Sequence, residues 1–189
     1  MAENRDRKPR SRRAYLRDFQ ADESGSYEYR GKILRSSRDP ADYRSRLLKA
    51  AAAFGAVLAV QLAAGFLPGT GMEGHPLMLL PYALGIGCAV RILWILVRLM
   101  RNGPELRGYV YDATAAKLPG YLTAAQVLAF VSLFDAALNA VRGTLSFQGT
   151  AQGTPSLAAP IVFLLSQVLL AAAAASIRKS KPDGEWTEN

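Results

Sequence analysis

The sequence is poor in the side chains on which most enzyme and metal chemistry depends. Its 189 residues include one cysteine, Cys88, and one histidine, His75. A single cysteine excludes a disulfide bond within the chain, and no metal-ligand spacing surrounds it. Because His75 is the sole imidazole and falls in a predicted external loop, a Ser-His-Asp triad has only one candidate base. We therefore expect no catalytic site and no metal site.

Sequence motifs for cofactors are missing as well. Neither the phosphate-binding pattern GxxxxGK[ST] nor the zinc pattern HExxH occurs in the chain. The stretch "GTGMEG" does not follow a strand, so it is not a dinucleotide fingerprint. Its Gly69 and Gly71 more simply predict a tight external turn. The sequence thus predicts a non-enzymatic protein without a cofactor.

Positive charge is concentrated at the start of the chain. The first 46 residues contain thirteen Lys and Arg against eight Asp and Glu, whereas nearly all apolar residues lie between 47 and 177. A basic segment beside an apolar run is more typical of binding to an anionic membrane surface than to nucleic acid. We therefore expect contact with the lipid bilayer and its anionic headgroups, and no nucleic-acid partner.

Four apolar runs are long enough to cross ~30 Å of hydrocarbon, which takes about 20 helical residues. They cover residues 47–68, 77–97, 121–141 and 157–177. A soluble bundle would have a charged face on its helices, and these runs have none. The sequence predicts an all-α integral membrane protein with a four-transmembrane-helix bundle over 40–178. A basic cytoplasmic segment, 1–39, precedes the bundle, and a tail, 179–189, follows it.

The loops differ in their content of Lys and Arg. The N-terminal segment, the connection after the second run and the C-terminal tail are basic, whereas the other two connections contain only Arg142. Since such residues are enriched on the cytoplasmic side, both termini should be cytoplasmic. The first apolar run begins too late for a cleavable signal peptide, so it predicts a retained anchor. We expect the cell membrane as the location, in a bacterium the cytoplasmic membrane.

Local signals mark the borders of the predicted helices. Asp39 is suited to cap a helix that starts at Pro40. Gly103 is suited to end the second helix, and Pro104 is suited to start a new one. Residues 104–118 predict either a short interfacial helix or an irregular loop. A stripe of small residues at every fourth position predicts close packing of the first helix; it comprises Ala51, Gly55, Ala59 and Ala63.

The least generic stretch outside the apolar runs is "DFQADESGSYEYRGKI". Its "DESGS" predicts a turn, flanked by Phe19, Tyr27 and Tyr29. The charge content of 1–39 favours a disordered basic tail, and a small hairpin is the alternative. If the hairpin forms, these three aromatic residues are the candidate docking surface for a partner protein.

Two charged residues interrupt the apolar runs. Arg91 lies about 9 Å inside the predicted cytoplasmic boundary, so its long side chain can reach the headgroups near Arg98. Asp135 lies roughly 12 Å from Arg91 in depth, so a salt bridge between them is not expected. Asp135 instead shares a polar stripe with Ser132, Asn139 and Arg142, at the depth of Gln61 on the first helix. This cluster predicts either a hydrogen-bonded clamp between helices or a polar vestibule.

Two functions remain open at this point. The first is an accessory or assembly subunit that acts through helix packing and its cytoplasmic segment, with a membrane protein or a second copy as partner. The second is a small transporter or channel that uses the cluster around Asp135.

Overall fold

The computed structural model describes residues 16, 18–21, 26–67, 76–141 and 158–188, and every structural statement below concerns these residues. Four helices in this part are long and apolar enough to cross a membrane. They are α1 (Pro40–Phe66), α2 (Pro76–Asn102), α4 (Leu118–Val141) and α5 (Ala158–Ser180), and a short helix α3 (Gly108–Ala113) precedes α4. Arg142 and the predicted turn at Gly69 and Gly71 lie outside the described residues.

The four long helices form a bundle in which neighbours along the chain are antiparallel. Helix α1 packs against α2 and α5, and α4 packs against the same two helices. The outer surface of the bundle is apolar, with exposed large side chains that include Leu79, Leu84, Phe130, Phe134 and Leu165. A bundle folded in water would carry charged side chains on that surface, so this one is suited to lipid.

All four helices extend past the predicted spans at one end of the bundle. This end carries most of the Lys and Arg residues and is called the basic end below; the helices reach Pro40, Asn102, Leu118 and Ser180 there. The predicted cap of α1 is confirmed, because Asp39 Oδ2 accepts a hydrogen bond of 3.1 Å from Ala41 N–H. Since backbone hydrogen bonding does not require apolar side chains, the helices continue where the apolar runs stop.

The packed face of α1 differs from the predicted stripe of small residues. Ala51 is buried, but Ala59 and Ala63 are exposed. Positions four apart drift by about 40° per step around a helix with 3.6 residues per turn, so the stripe leaves the interface. Apart from Ala51, the buried positions alternate spacings of four and three instead; they are Tyr43, Leu47, Ala50, Phe54, Val57, Gln61 and Ala64.

The prediction of an all-α protein is wrong for a small part of the chain. Strands β1 (Phe19–Ala21) and β2 (Tyr27–Tyr29) form an antiparallel hairpin. Strand β3 (Ile33–Ser36) lies between β4 (Glu105–Arg107) and β5 (Trp186–Glu188), antiparallel to both. Strands this short show too little alternation to be recognised in a sequence, and their partners are far away along the chain.

The connection after α2 combines a confirmed and a wrong expectation. Gly103 ends α2 as predicted, with φ +79° and its N–H bonded to the Leu99 carbonyl at 3.1 Å. Pro104 does not start a helix, because β4 follows it and pairs with β3. The helix α3 begins only at Gly108, whose N–H donates to the Lys32 carbonyl at 2.7 Å.

Candidate functional site

Four polar side chains are fully buried inside the bundle. Gln61 on α1, Ser132 on α4, and Ser166 and Gln167 on α5 are each 0% exposed. They are called the polar layer below. Buried polar groups in an apolar interior carry a desolvation penalty unless they form hydrogen bonds.

The polar layer separates two apolar clusters. The outer cluster, away from the basic end, consists of Met78, Tyr82, Ala136 and Phe163. The inner cluster is larger and continues to the basic end. Along α4, Ser132 lies between Ala129 of the inner cluster and Ala136 of the outer one. On α5, Ser166 and Gln167 lie in the same way between Phe163 of the outer cluster and Leu170 of the inner one, and on α1 Gln61 lies one turn beyond Val57 of the inner cluster.

Contacts between helices place the members of the polar layer at similar depth. The Tyr82 hydroxyl donates to the Gln61 backbone carbonyl, and the rings of Tyr82 and Phe163 are 5.6 Å apart. One turn deeper, α2 also approaches α5 closely at Gly85. A Cβ atom added to this glycine would lie 3.5 Å from Leu170 Cδ2. Gln167 lies between Phe163 and Leu170 on α5. Side chains on a helix tilt toward its N-terminus, which directs Gln61 to the same depth.

Hydrogen bonds within the polar layer do not connect different helices in the part of the chain that the structure describes. Gln167 Nε2 donates to Ser166 Oγ at 3.3 Å, and Ser166 Oγ donates to the Phe163 carbonyl at 2.7 Å, all within α5. Both amide atoms of Gln61, the hydroxyl of Ser132 and Oε1 of Gln167 have no hydrogen-bond partner among the described residues. The layer therefore contains uncharged donors and acceptors whose hydrogen-bonding capacity is not used by the described residues.

The predicted cluster around Asp135 is distributed differently from the polar layer. Ser132 and Gln61 lie in the interior, whereas Asp135 is half-buried. It lies about 100° around α4 from Ala136, at the margin of the buried face. The Asn139 side chain and Arg142 lie outside the described residues. The predicted cluster does not include Tyr82, Ser166 and Gln167. The only sequence feature that marks these residues is a polar group within an apolar run.

Arg91 and Arg98 both contact Trp94 at the outer surface of α2. The Arg91 guanidinium lies 4.3 Å from the centre of the Trp94 ring and 5.8 Å from that of Tyr121, and Arg98 lies 5.1 Å from Trp94. Tyr121 and Asp135 are fourteen residues apart on α4, or about 21 Å. Arg91 therefore cannot pair with Asp135. Arginine over an aromatic ring is typical of the interfacial region of membrane proteins.

At the basic end, the C-terminal tail is anchored to the bundle by an aromatic residue. The Trp186 ring packs edge-on against Tyr43 of α1 at 6.2 Å and Tyr111 of α3 at 5.7 Å. Its Nε1–H donates to Asp183 Oδ2 at 3.0 Å. Strand β5 thereby joins the sheet and the helices, so the tail is part of the folded structure.

Arg38 and Ser36 strengthen the same connection. The Arg38 guanidinium donates to the carbonyls of Ser180 and Lys181, at 3.3 and 3.1 Å, where α5 ends. Ser36 Oγ donates to the Asp183 carbonyl at 2.6 Å. These bonds satisfy backbone groups that a helix end leaves open. The segment before α1 and the tail after α5 thus form one unit.

The N-terminal hairpin lies against the basic end through its aromatic face. Phe19 and Tyr29 are paired across the hairpin, 5.2 Å apart, and both contact Tyr109 of α3, at 6.3 and 5.8 Å. Burial raises the pKa of the Tyr29 hydroxyl. This neutral hydroxyl donates to the Lys32 carbonyl at 3.2 Å and accepts from Gly108 N–H at 3.1 Å.

The three aromatic residues predicted as a docking surface therefore differ in their roles. Phe19 and Tyr29 are half-buried and hold the hairpin, whereas Tyr27 is 75% exposed. Among the described residues of 1–39, Phe19–Ala21 and Tyr27–Tyr29 adopt the hairpin, the less favoured alternative, and Tyr109 covers its apolar face. An isolated hairpin of this length would not be stable in water.

No known family model, curated protein or solved structure matches the chain.

Proposed function

We propose that this chain is a non-enzymatic multi-pass protein of the cell membrane, in a bacterium the cytoplasmic membrane. It acts as an accessory or assembly subunit, and its basic end docks a partner protein in the cytoplasm. The observation that carries this proposal is the folded basic end, where three segments far apart in sequence are joined in one sheet.

The excess of Lys and Arg at the basic end supports the cytoplasmic orientation. The first 46 residues, the connection between α2 and α4 and the C-terminal tail all begin or end there. A reporter fused after Asn189 should be active only in the cytoplasm. Activity of the reporter on the outer side would contradict both the orientation and the number of spans.

The hairpin supplies the surface for docking. Its aromatic face is held by Tyr109, and Tyr27 on the same face extends beyond that contact into solvent. An exposed aromatic side chain on an ordered surface is typical of a binding hot spot, because little entropy is lost when it is covered. The outer edges of β4 and β5 are also unpaired in the described sheet, so a partner strand can extend it.

Photo-crosslinking in cells tests this proposal. A benzophenone amino acid at Tyr27 should give one discrete cross-linked product, whose partner is identified by mass spectrometry. The matched control is Glu28, the next residue of the same strand, whose side chain points to the opposite face. Equal products from both positions, or none from Tyr27, would contradict docking through this surface. A product with twice the mass of the chain would identify a second copy as the partner.

A second candidate function, a small transporter or channel, is favoured by the polar layer. Four buried polar atoms of Gln61, Ser132 and Gln167 lack protein partners among the described residues. Asp135 lies one turn beyond Ser132 at the margin of the same helix face. Buried polar groups that lower the stability of the fold are typical of functional sites, where binding requires them.

Asp135→Asn distinguishes this second function from a structural role of the carboxylate. The amide keeps hydrogen bonding and removes the charge, so folding should be retained in either case. In a transporter, cation- or proton-coupled flux into proteoliposomes should be abolished. Unchanged flux, or no flux in the unmodified protein with any monovalent cation, would exclude this function.

A further inference from the structure

A groove between α1 and α5 at the basic end has basic residues at its mouth and small side chains along its length. It has a volume of about 300 Å³. Arg46 and Lys49 of α1 lie at its mouth, and Ala50, Ala53 and Ala173 line the part nearer the centre of the bundle. We propose that this groove binds one anionic phospholipid, with the phosphate at the mouth and an acyl chain along the alanines.

The charge around the mouth is complementary to a phosphodiester. Asp42 is shared by Arg46, at 2.8 Å, and Arg38, at 3.4 Å, so one carboxylate neutralises only one of two guanidinium groups. Lys49 forms no ion pair with the described residues. An anionic group that enters the groove therefore meets an excess of positive charge. Basic grooves between helices at the cytoplasmic side are where anionic headgroups bind.

The shape of the groove results from small side chains on both helices. Ala50 is buried and forms part of the floor, whereas Ala53 is exposed toward the surface where lipid would lie. Ala173 and Ser176 on α5 are equally small, so a trough remains between the two helices. From Arg46 to Ala53 the groove runs about 10 Å along α1, which is room for the first part of an acyl chain.

Location distinguishes the groove from the surface around Trp94. Arg98 and Arg101 on α2 also lie near the basic end, but Arg98 is placed over the Trp94 ring. The cavity beside Trp94 is lined by larger side chains, which include Val97 and Asn102. In the groove between α1 and α5, by contrast, basic residues are followed by small ones along one trough. The proposal therefore concerns one defined lipid, beyond the general attraction of the basic end to an anionic surface.

Native mass spectrometry of the full-length protein, titrated with phosphatidylglycerol, tests the proposal. The double variant Arg46→Gln/Lys49→Gln should bind the first lipid about 25-fold more weakly, since each basic group near an anionic surface contributes about fivefold. The control Arg44→Gln/Lys117→Gln removes the same charge outside the groove and should change affinity by less than about threefold. Phosphatidylcholine, whose phosphodiester is partly neutralised by its own choline, should bind the original protein more weakly than phosphatidylglycerol does and should lose less affinity in the double variant.

Two further measurements separate the headgroup from the acyl chain. Ala53→Phe fills the trough without changing charge and should reduce phosphatidylglycerol binding by about tenfold, by removal of its apolar contacts. Soluble glycerol phosphate should not displace the lipid at equal concentration. If the groove and control pairs lose the same affinity, or if glycerol phosphate displaces the lipid, the proposal is overturned. Should the double variant fail to fold, Lys49→Gln alone, at an exposed position, should still lose about fivefold.

Discussion

The basic end and the polar layer use polar side chains in opposite ways. At the basic end, Arg38 and Ser36 connect the segment before α1 to the tail after α5 by hydrogen bonds to backbone carbonyls. In the polar layer, Gln61 and Ser132 come from different helices and their side chains form no hydrogen bond with each other. The first region is joined by its polar groups, and the second is held by the apolar clusters on either side.

This difference is consistent with the roles proposed for the two regions. Polar groups whose hydrogen bonds are satisfied stabilise a unique arrangement, which suits a surface that a partner must recognise. Polar groups that are buried without partners reduce stability, by about 1–3 kcal/mol for each such group. We therefore expect substitutions in the two regions to shift stability in opposite directions.

The largest effect is expected for Trp186→Ala at the basic end. The substitution removes the ring that contacts Tyr43 and Tyr111, so β5 should detach and the free energy of unfolding should fall by ~2 kcal/mol. Thermal unfolding in detergent measures the loss, and limited proteolysis of the tail reports the detachment. The neighbouring Thr187→Ala should change stability by less than ~0.5 kcal/mol. A tail that stays protected in Trp186→Ala would show that the sheet does not depend on this ring.

A smaller effect of opposite sign is expected for Gln61→Met in the polar layer. Methionine has a similar volume and no unpartnered polar atoms, so the free energy of unfolding should rise by ~1 kcal/mol. The control is Gln126→Met at a half-buried position of α4, where no comparable gain is expected. If Gln61→Met destabilises the protein, the Gln61 amide is hydrogen-bonded and the contrast between the two regions does not hold.

The smallest effect concerns Arg91. A double-mutant cycle between Arg91→Met and Trp94→Leu should give a coupling of ~0.5–1 kcal/mol for the contact between guanidinium and ring. The cycle between Arg91→Met and Asp135→Asn should give a coupling within ~0.3 kcal/mol of zero, because the residues are far apart. A larger coupling in the second cycle would mean that these two charges do interact across the bundle.

The four long helices could be predicted from the sequence because an apolar run of about 20 residues leaves few alternatives. The caps at Asp39 and Gly103 could be predicted as well, since each depends on one residue and its immediate neighbours. The stripe from Ala51 to Ala63 gave a wrong prediction of the packed face of α1, because the stripe reflects a composition rich in alanine.

The folded basic end could not be predicted in the same way. Strand β3 pairs with Glu105–Arg107 and with Trp186–Glu188, and no local pattern in four residues indicates such distant partners. The charge content of residues 1–39 predicts disorder. Only the fold shows that Tyr109 lies beside Phe19 and Tyr29 and so stabilises the hairpin. In the bundle, Gln61, Ser166 and Gln167 all face the interior because of the rotation of α1 and α5 about their axes, and hydropathy does not define that rotation.

Co-purification of a truncated chain tests the central claim, that the hairpin docks a partner protein. Deleting residues 1–31 removes the hairpin and keeps β3, whereas a longer deletion through residue 38 would also destroy the sheet. The account predicts that the full-length protein, in mild detergent, retains the partner cross-linked through Tyr27. The truncated protein should lose that partner while its helical content and unfolding temperature are retained. A full-length protein that purifies alone, or a truncated protein that keeps the partner, would contradict the account.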